Sequence, residues 1–199
     1  GPPEPTGAVR LRLVGGHGWA DLRGPAACEV LTAGEASAVV GSLGPDPLHG
    51  APGAADDFAR RVRARRTVIA QLLMDQKVLA GIGNIYRAEL LFRQRLNPQT
   101  PGTSVDQETA QRLWTDAAGL LADGVRDGRI LSTDPRDRNR DLAATAVDAA
   151  AAGGAAAVPA DQAHYVYQRA QLPCRICGTL IASADLAGRK LYWCPHCQQ

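Results

Sequence analysis

Leu72–Pro98 reads LLMDQKVLAGIGNIYRAELLFRQRLNP, a stretch in which Gly81 and Gly83 interrupt otherwise helical sequence. Upstream, Asp56 to Met74 has helical periodicity. Asp56 and Asp57 suit its start, and Phe58, Val62, Ile69, Leu72 and Leu73 supply its apolar face. Downstream, a second helix is expected from Asn84 to Arg95, with Ile85, Ala88, Leu91 and Phe92 on one stripe and Pro98 and Pro101 beyond its end. Ser104 followed by Gln107 has the form of a capping box. Ala110, Leu113, Trp114, Ala117, Leu120 and Leu121 continue the 3.6-residue period to about Ala122. The glycine-bearing turn between the first two helices has a physical use. Gly81 and Gly83 let the backbone approach a ligand, and the helix beginning at Asn84 presents unpaired N–H groups at its positive end, an arrangement that suits a phosphate. The plainer alternative is an ordinary glycine-bearing helix connection.

Outside this block the chain changes character. Residues 8–14 (AVRLRLV) alternate apolar and basic, and Trp19–Leu22 follows a glycine turn, so a hairpin is expected. A lone hairpin is marginal in water, which points to sheet partners elsewhere. Residues 41–55 are rich in Gly, Pro and Ala and read as a connecting loop, and 132–163 contains the low-complexity run DAAAAGGAAAVPAD, which reads as a linker. Order returns at His164. No apolar run is long enough to span a bilayer, and the first residues have neither the basic nor the apolar region of a secretory signal. A cytoplasmic, bacterial, nucleoid-associated location is the expectation, with no membrane partner and a monomeric state.

Four of the five cysteines form two C-x-x-C pairs, Cys174/Cys177 and Cys194/Cys197, with sixteen residues between the pairs. Each pair can hold two thiolates at a hairpin knuckle, and together they complete a tetrahedral shell for one structural zinc with no open position for water. So short a segment has little core of its own, so the metal must supply folding energy. Two redox or disulfide pairs are the alternative. His196, between two ligands, is read as a bystander, and Cys28 as a lone thiol.

The net charge of +2 says little, but Ala59–Arg95 carries nine basic residues against two acids, Asp75 and Glu89. That excess is either a phosphate-facing footprint or a solvated helix face. Two classes of function remain open at this point. One is a nucleic-acid enzyme whose zinc finger mounts a basic residue, and the other a non-enzymatic module that binds nucleic acid or protein.

Leu72–Pro98 resembles the helix-two-turn-helix motif of the formamidopyrimidine-DNA glycosylase/endonuclease VIII family. Leu172–Gln199 (LPCRICGTLIASADLAGRKLYWCPHCQQ) resembles that family's C-terminal zinc finger, including the Gly188-Arg189 pair and the closing C-x-x-C-Q. The order and separation of the motifs match as well, with an actinobacterial endonuclease VIII-like flavour. The resemblance implies a bifunctional enzyme of base excision repair that excises oxidised bases and cleaves at the abasic site. Its partner is double-stranded DNA carrying damaged bases or abasic sites. Carried over by motif, Asn84 would contact phosphates flanking the lesion, with Gly81 and Gly83 shaping the turn. Arg189 would grip the phosphate of the damaged nucleotide and assist elimination, and its planar fork suits that role. Arg23 corresponds to an arginine that reaches into the duplex where the base is flipped out. Lys77 and Lys190 are read as solvated surface.

The departure lies at the amino terminus. Family members begin with Pro-Glu, whose secondary amine forms a Schiff base with the sugar, after which a long β-sandwich precedes the helical domain. Here about 70 residues precede the motif. Pro2 and Pro3-Glu4 lead straight into a strand that resembles the end of that sandwich. The expectation is an α+β chain: a β-sandwich remnant (1–50), a helix-two-turn-helix DNA-binding domain (51–131), a linker (132–163) and a zinc ribbon (164–199). On this view the chain binds DNA but does not cut it. The alternative is a non-catalytic, zinc-dependent protein of the same lineage that binds damaged DNA.

Overall fold

The alternating residues near the amino terminus form β1 (Val9–Gly15), paired antiparallel with β2 (Gly18–Arg23). The computed structural model describes residues 2–25, 27–138 and 158–199. Most of the segment read as a linker, 139–157, and the α-amine of Gly1 lie outside the described residues. Two compact units emerge, Gly1–Gly41 and Ser42–Gln199.

The first unit holds the hairpin and α1 (Ala33–Gly41). Sequence reading passed over α1, although its cap is a reciprocal box. Thr32 N–H donates to the Glu35 carboxylate at 2.8 Å, and Glu35 N–H donates to Thr32 Oγ1 at 3.3 Å. In the hairpin, Arg12 makes a two-pronged ion pair with Asp21 and lies over the Trp19 ring.

In the second unit, the helix expected over Asp56–Met74 is two pieces, α2 (Ala54–Arg63) and the single turn α3 (Ile69–Leu72). The chain between them pairs with a later strap: Ile69 N–H donates to Thr100 O, Gly102 N–H to Thr67 O and Thr103 N–H to Arg65 O. Those tertiary bonds take the backbone groups a continuous helix would use, overriding the periodicity. The next helix, α4 (Asn84–Arg93), falls where expected. The long helix α5 (Gln107–Asp127) is capped by Asp106, whose carboxylate accepts from Thr109 N–H at 2.6 Å. Ser104 lies instead in a short 3-10 turn, Gly102–Ser104, so the expected capping box is displaced by Asp106. Gly128, in the left-handed region, ends α5.

Phe58, Val62, Ile69, Leu72 and Leu73 all point into one core with Leu113, Ala117, Leu120 and Leu121 of α5. Each large apolar side chain so buried contributes roughly 1.5–3 kcal/mol. The α4 helix is buried nearly all round, from Tyr86 to Phe92. Tyr86, Leu90 and Leu91 join the helical core, whereas Ala88 and Phe92 join a second cluster with Tyr165, Val166, Cys174, Ile181 and Cys194. The single stripe read from sequence is therefore too narrow, because the finger covers the other side of α4.

The finger itself is β3 (Ala182–Leu186) paired antiparallel with β4 (Arg189–Trp193). Glu89, fully buried in α4, fixes the approach to it. Its carboxylate accepts from Tyr165 N–H at 2.7 Å, Val166 N–H at 2.9 Å and Tyr167 N–H at 2.8 Å, and also from the Ser132 hydroxyl. Four donors satisfy this buried carboxyl group.

Candidate DNA-backbone grip and metal centre

Gly81 has φ of +83°, a conformation that side-chain-bearing residues rarely adopt, so a glycine is strongly favoured there. Gly83 differs: its φ is −109°, ordinary extended backbone, and its value is space. A Cβ added at Gly83 would meet nothing within 4 Å. No side chain caps the start of α4, so its leading N–H groups face this opening without intrahelical partners.

Asn84 opens α4, and its side chain is fully engaged. Its Nδ2 donates to the Lys190 carbonyl oxygen at 3.0 Å, and its Oδ1 accepts from Arg87. Arg87 Nη2 also donates to Lys190 O, at 2.9 Å. Lys190 follows Arg189 on β4, so this joint brings the finger's arginine to the helix start. Arg189 comes directly after a two-residue turn, Ala187 (φ +49°) and Gly188 (φ +74°), the double left-handed geometry that suits a tight hairpin. It is exposed and has no hydrogen-bond or carboxylate partner among the described residues. Arg87 is 1% exposed. Burial, and after it the charge of Arg189, pushes its pKa down from the usual arginine value. Its Nε is buried without a partner. Two cations thus share a corner that no carboxylate among the described residues neutralises, an electrostatic setting for an anion.

The remaining basic residues of Ala59–Arg95 do not form one free surface. Arg60 and Arg61 pair with Asp57, Arg61 Nη1 donates to Lys77 O at 2.8 Å, and Arg93 forks onto Asp116. Sequence reading counted Arg87 and Arg93 toward a footprint, whereas Arg87 is buried and Arg93 is tied up at the surface by Asp116 and the Ser132 carbonyl oxygen. Arg23 sits in the first unit, donating to Thr6 O at 3.1 Å and to Asp21 at 2.8 Å. The missed residues are Arg87, Glu89 and Gln198. Gln198 is 2% exposed, accepts from Cys194 N–H at 2.8 Å and donates to Leu96 O at 3.1 Å, clasping the second knuckle to the end of α4. Only the burial of polar residues in an apolar helix hinted at the first two.

The four cysteines converge, with their sulfurs all within 4.8 Å of one another. Cys174 and Cys197 Sγ are 4.0 Å apart and Cys177 and Cys194 Sγ 3.5 Å. A tetrahedral zinc with bonds of about 2.3 Å needs sulfurs about 3.8 Å apart, so the donor set fits. Backbone N–H groups of Ile176 and Cys197 point at the sulfurs of Cys174 and Cys194, at 3.5 and 3.4 Å, as at a metal knuckle. Four thiolates would saturate the ion and give it a structural role. His196 is exposed and outside the group, and Cys28 is an exposed thiol in the first unit.

Fold and site together define a helix-two-turn-helix protein closed by a four-cysteine finger. Comparison with known proteins agrees on both parts. Residues 43–135 match the formamidopyrimidine-DNA glycosylase H2TH domain, and 171–199 match the zinc finger found in FPG and IleRS. Over 196 residues the chain is 42% identical to Endonuclease 8 1 of Mycobacterium tuberculosis, covering 98% of this chain and 68% of that protein. It is 36% identical over 159 residues to the formamidopyrimidine-DNA glycosylase of Thermus thermophilus, covering 78% of this chain and 53% of that one. Among solved structures, the MutM (Fpg) protein of Thermus thermophilus superposes with a TM-score of 0.70 at 31% identity, over 98% of this chain and 70% of that one. The Lactococcus lactis Fpg in complex with abasic-site DNA shares the fold, with a TM-score of 0.60 at 21% identity over 83% of this chain and 55% of that one. The chain belongs to the formamidopyrimidine-DNA glycosylase/endonuclease VIII family.

Proposed function

We propose that residues 42–199 are the DNA-gripping part of a base-excision-repair glycosylase and abasic-site lyase. The observation that carries this reading is the joint of Asn84 and Arg87 on the Lys190 carbonyl. It brings β4, and with it Arg189, to the uncapped start of α4, where the charge of Arg189 is felt by Arg87. Backbone N–H groups and a planar cation at one corner suit a phosphodiester oxygen. The zinc holds the knuckles that carry the hairpin, so its contribution is to fix where Arg189 points. Solved structures that share this fold include complexes with abasic-site and Fapy-dG-containing DNA, and the same partner is proposed here. Arg23, in the first unit, is proposed to enter the duplex where the base leaves. Excision and strand cleavage are proposed for the whole protein, the sugar being attacked by an amino-terminal amine of the family type.

The test is binding of the chain to a duplex with one abasic-site analogue, measured against an undamaged duplex. A preference for the analogue that vanishes in Arg189→Ala supports the reading, and no binding at low salt refutes it. Borohydride trapping on an authentic abasic site separates the enzymatic reading from a non-catalytic DNA-binding one. A covalent adduct marks a lyase nucleophile within residues 1–199, and binding without an adduct assigns this chain the grip alone.

A further inference from the structure

We propose that Gln76 is the positioning residue of the phosphate-facing turn, its side-chain amide holding the backbone at Gly81 and Ile82 so that the start of α4 opens toward the DNA. The inference rests on the reading of the chain as a DNA-gripping protein. Gln76 Oε1 accepts from Gly81 N–H at 2.9 Å, and Nε2 donates to Ile82 O at 2.9 Å and more weakly to Met74 O at 3.3 Å. The two partners bracket the left-handed Gly81 together with Ile82, so one amide holds the peptide unit that enters Gly81 and the one that leaves Ile82. Its own backbone is anchored from behind, where Gly44 N–H donates to Gln76 O at 2.7 Å. Ile82 is 2% exposed and seated in the core. With both ends held, Gly83 follows in extended conformation and the first helical bond runs from Arg87 N–H to Gly83 O at 2.9 Å. The N–H groups between them are left to a ligand. The buried Arg87 Nε without a partner, beside Arg189, points to an anion at the same corner.

The side chain must donate and accept at the same reach, which narrows the choice to glutamine. Asparagine is one methylene shorter. An ionised glutamate would still accept from Gly81 but would set a carboxylate against the Ile82 and Met74 carbonyl oxygens. Methionine has the length and neither function. Because Gln76 is neutral, it changes affinity through geometry and leaves the count of phosphate-paired cations alone.

The experiment uses the full, zinc-loaded chain and a duplex carrying an abasic-site analogue. Gln76→Met is expected to bind about tenfold more weakly, the scale of one or two lost hydrogen bonds. The slope of log affinity against log salt should stay that of the wild type, and hydrogen exchange at the Gly81 amide should accelerate. Gln76→Glu is expected to bind more weakly than wild type at pH 8, because an ionised carboxylate cannot donate to the Ile82 carbonyl oxygen. Gln76→Met with wild-type affinity, a slope that falls by about one, or unchanged Gly81 exchange overturns the proposal. Gln76→Glu with wild-type affinity also overturns it. A wild-type chain that does not bind the duplex overturns the functional reading itself, whereas a wild-type chain that binds beside an indifferent Gln76→Met overturns this inference alone.

Discussion

The side-chain nitrogen of Asn84 lies 3.0 Å from the carbonyl oxygen of Lys190, across 106 residues of chain. This bond, doubled by Arg87 onto the same oxygen at 2.9 Å, makes the helix start and the finger hairpin one body. Asn84, expected from its motif to contact phosphate, is also a pin between helix and finger.

The energies of Asn84 and Arg189 should therefore be coupled. Arg189→Ala is expected to cost about 1–3 kcal/mol in binding to abasic-analogue DNA, with the log–log salt slope falling by about one. Asn84→Ala should cost about 1 kcal/mol alone and clearly less in the Arg189→Ala background. A double-mutant cycle measures this, and strictly additive losses would show that the joint does not aim the arginine.

One zinc per chain is expected by metal analysis, with X-ray absorption giving four sulfurs at about 2.3 Å. Chelation should unfold the finger and weaken DNA binding at least as much as Arg189→Ala, because the hairpin loses its mount. A disulfide between any two of Cys174, Cys177, Cys194 and Cys197 in the freshly purified protein would contradict this.

Arg95 sits at φ +52° just past α4, where Leu96 N–H donates to Leu91 O at 2.9 Å and Arg95 N–H to Phe92 O at 2.9 Å. This is the helix-ending pattern that favours glycine. Arg95→Gly should stabilise the protein by about 1 kcal/mol, seen as a higher denaturant midpoint at constant m. A fall in the midpoint would mean that the arginine side chain makes contacts worth more than the backbone strain.

Tyr165 stacks on Phe92, donates to Asp137 at 2.6 Å and accepts from Asp134 N–H at 2.9 Å. Burial first, and the bond to Asp137 second, pushes its pKa up to about 12. A phenol whose folded pKa lies above its unfolded value of about 10 contributes stability that is complete below pH 10 and is lost as pH rises toward 12. Wild type should accordingly lose about 2 kcal/mol more than Tyr165→Phe over that window in chemical denaturation. Parallel pH profiles for the two proteins would count against a buried phenol.

Legibility in the sequence followed the range of the interaction. The four cysteines were readable because each knuckle is set by spacing within a few residues, and the hydrophobic faces of α2 and α5 because periodicity is local. Thr32 and Glu35 carried a local signal that was passed over, since the Ala- and Gly-rich α1 has little amphipathic pattern and buries none of its residues. The break between α2 and α3 was unreadable: it depends on the strap at 100–103, and nothing in Arg63–Val68 announces it. Arg87 looked like one more surface cation, and only the fold places it under the finger. Asn84 was found through its motif, but its bond to Lys190 depends on two segments meeting in space.

Glu89 has a further consequence, for how the gene can change. Its carboxylate holds Ser132 on one side and the amides of residues 165–167 on the other, while Ser132 N–H also donates to Ala163 O at 3.0 Å. The chain that leaves the helical core and the chain that returns to the finger are thus moored at one post. The spacing of Asn84 and Arg189 is therefore held across this mooring by side-chain and backbone bonds between segments far apart in the chain. A single substitution at Glu89 would loosen the segment at Ser132 and the segment at 165–167 together, and set the finger adrift.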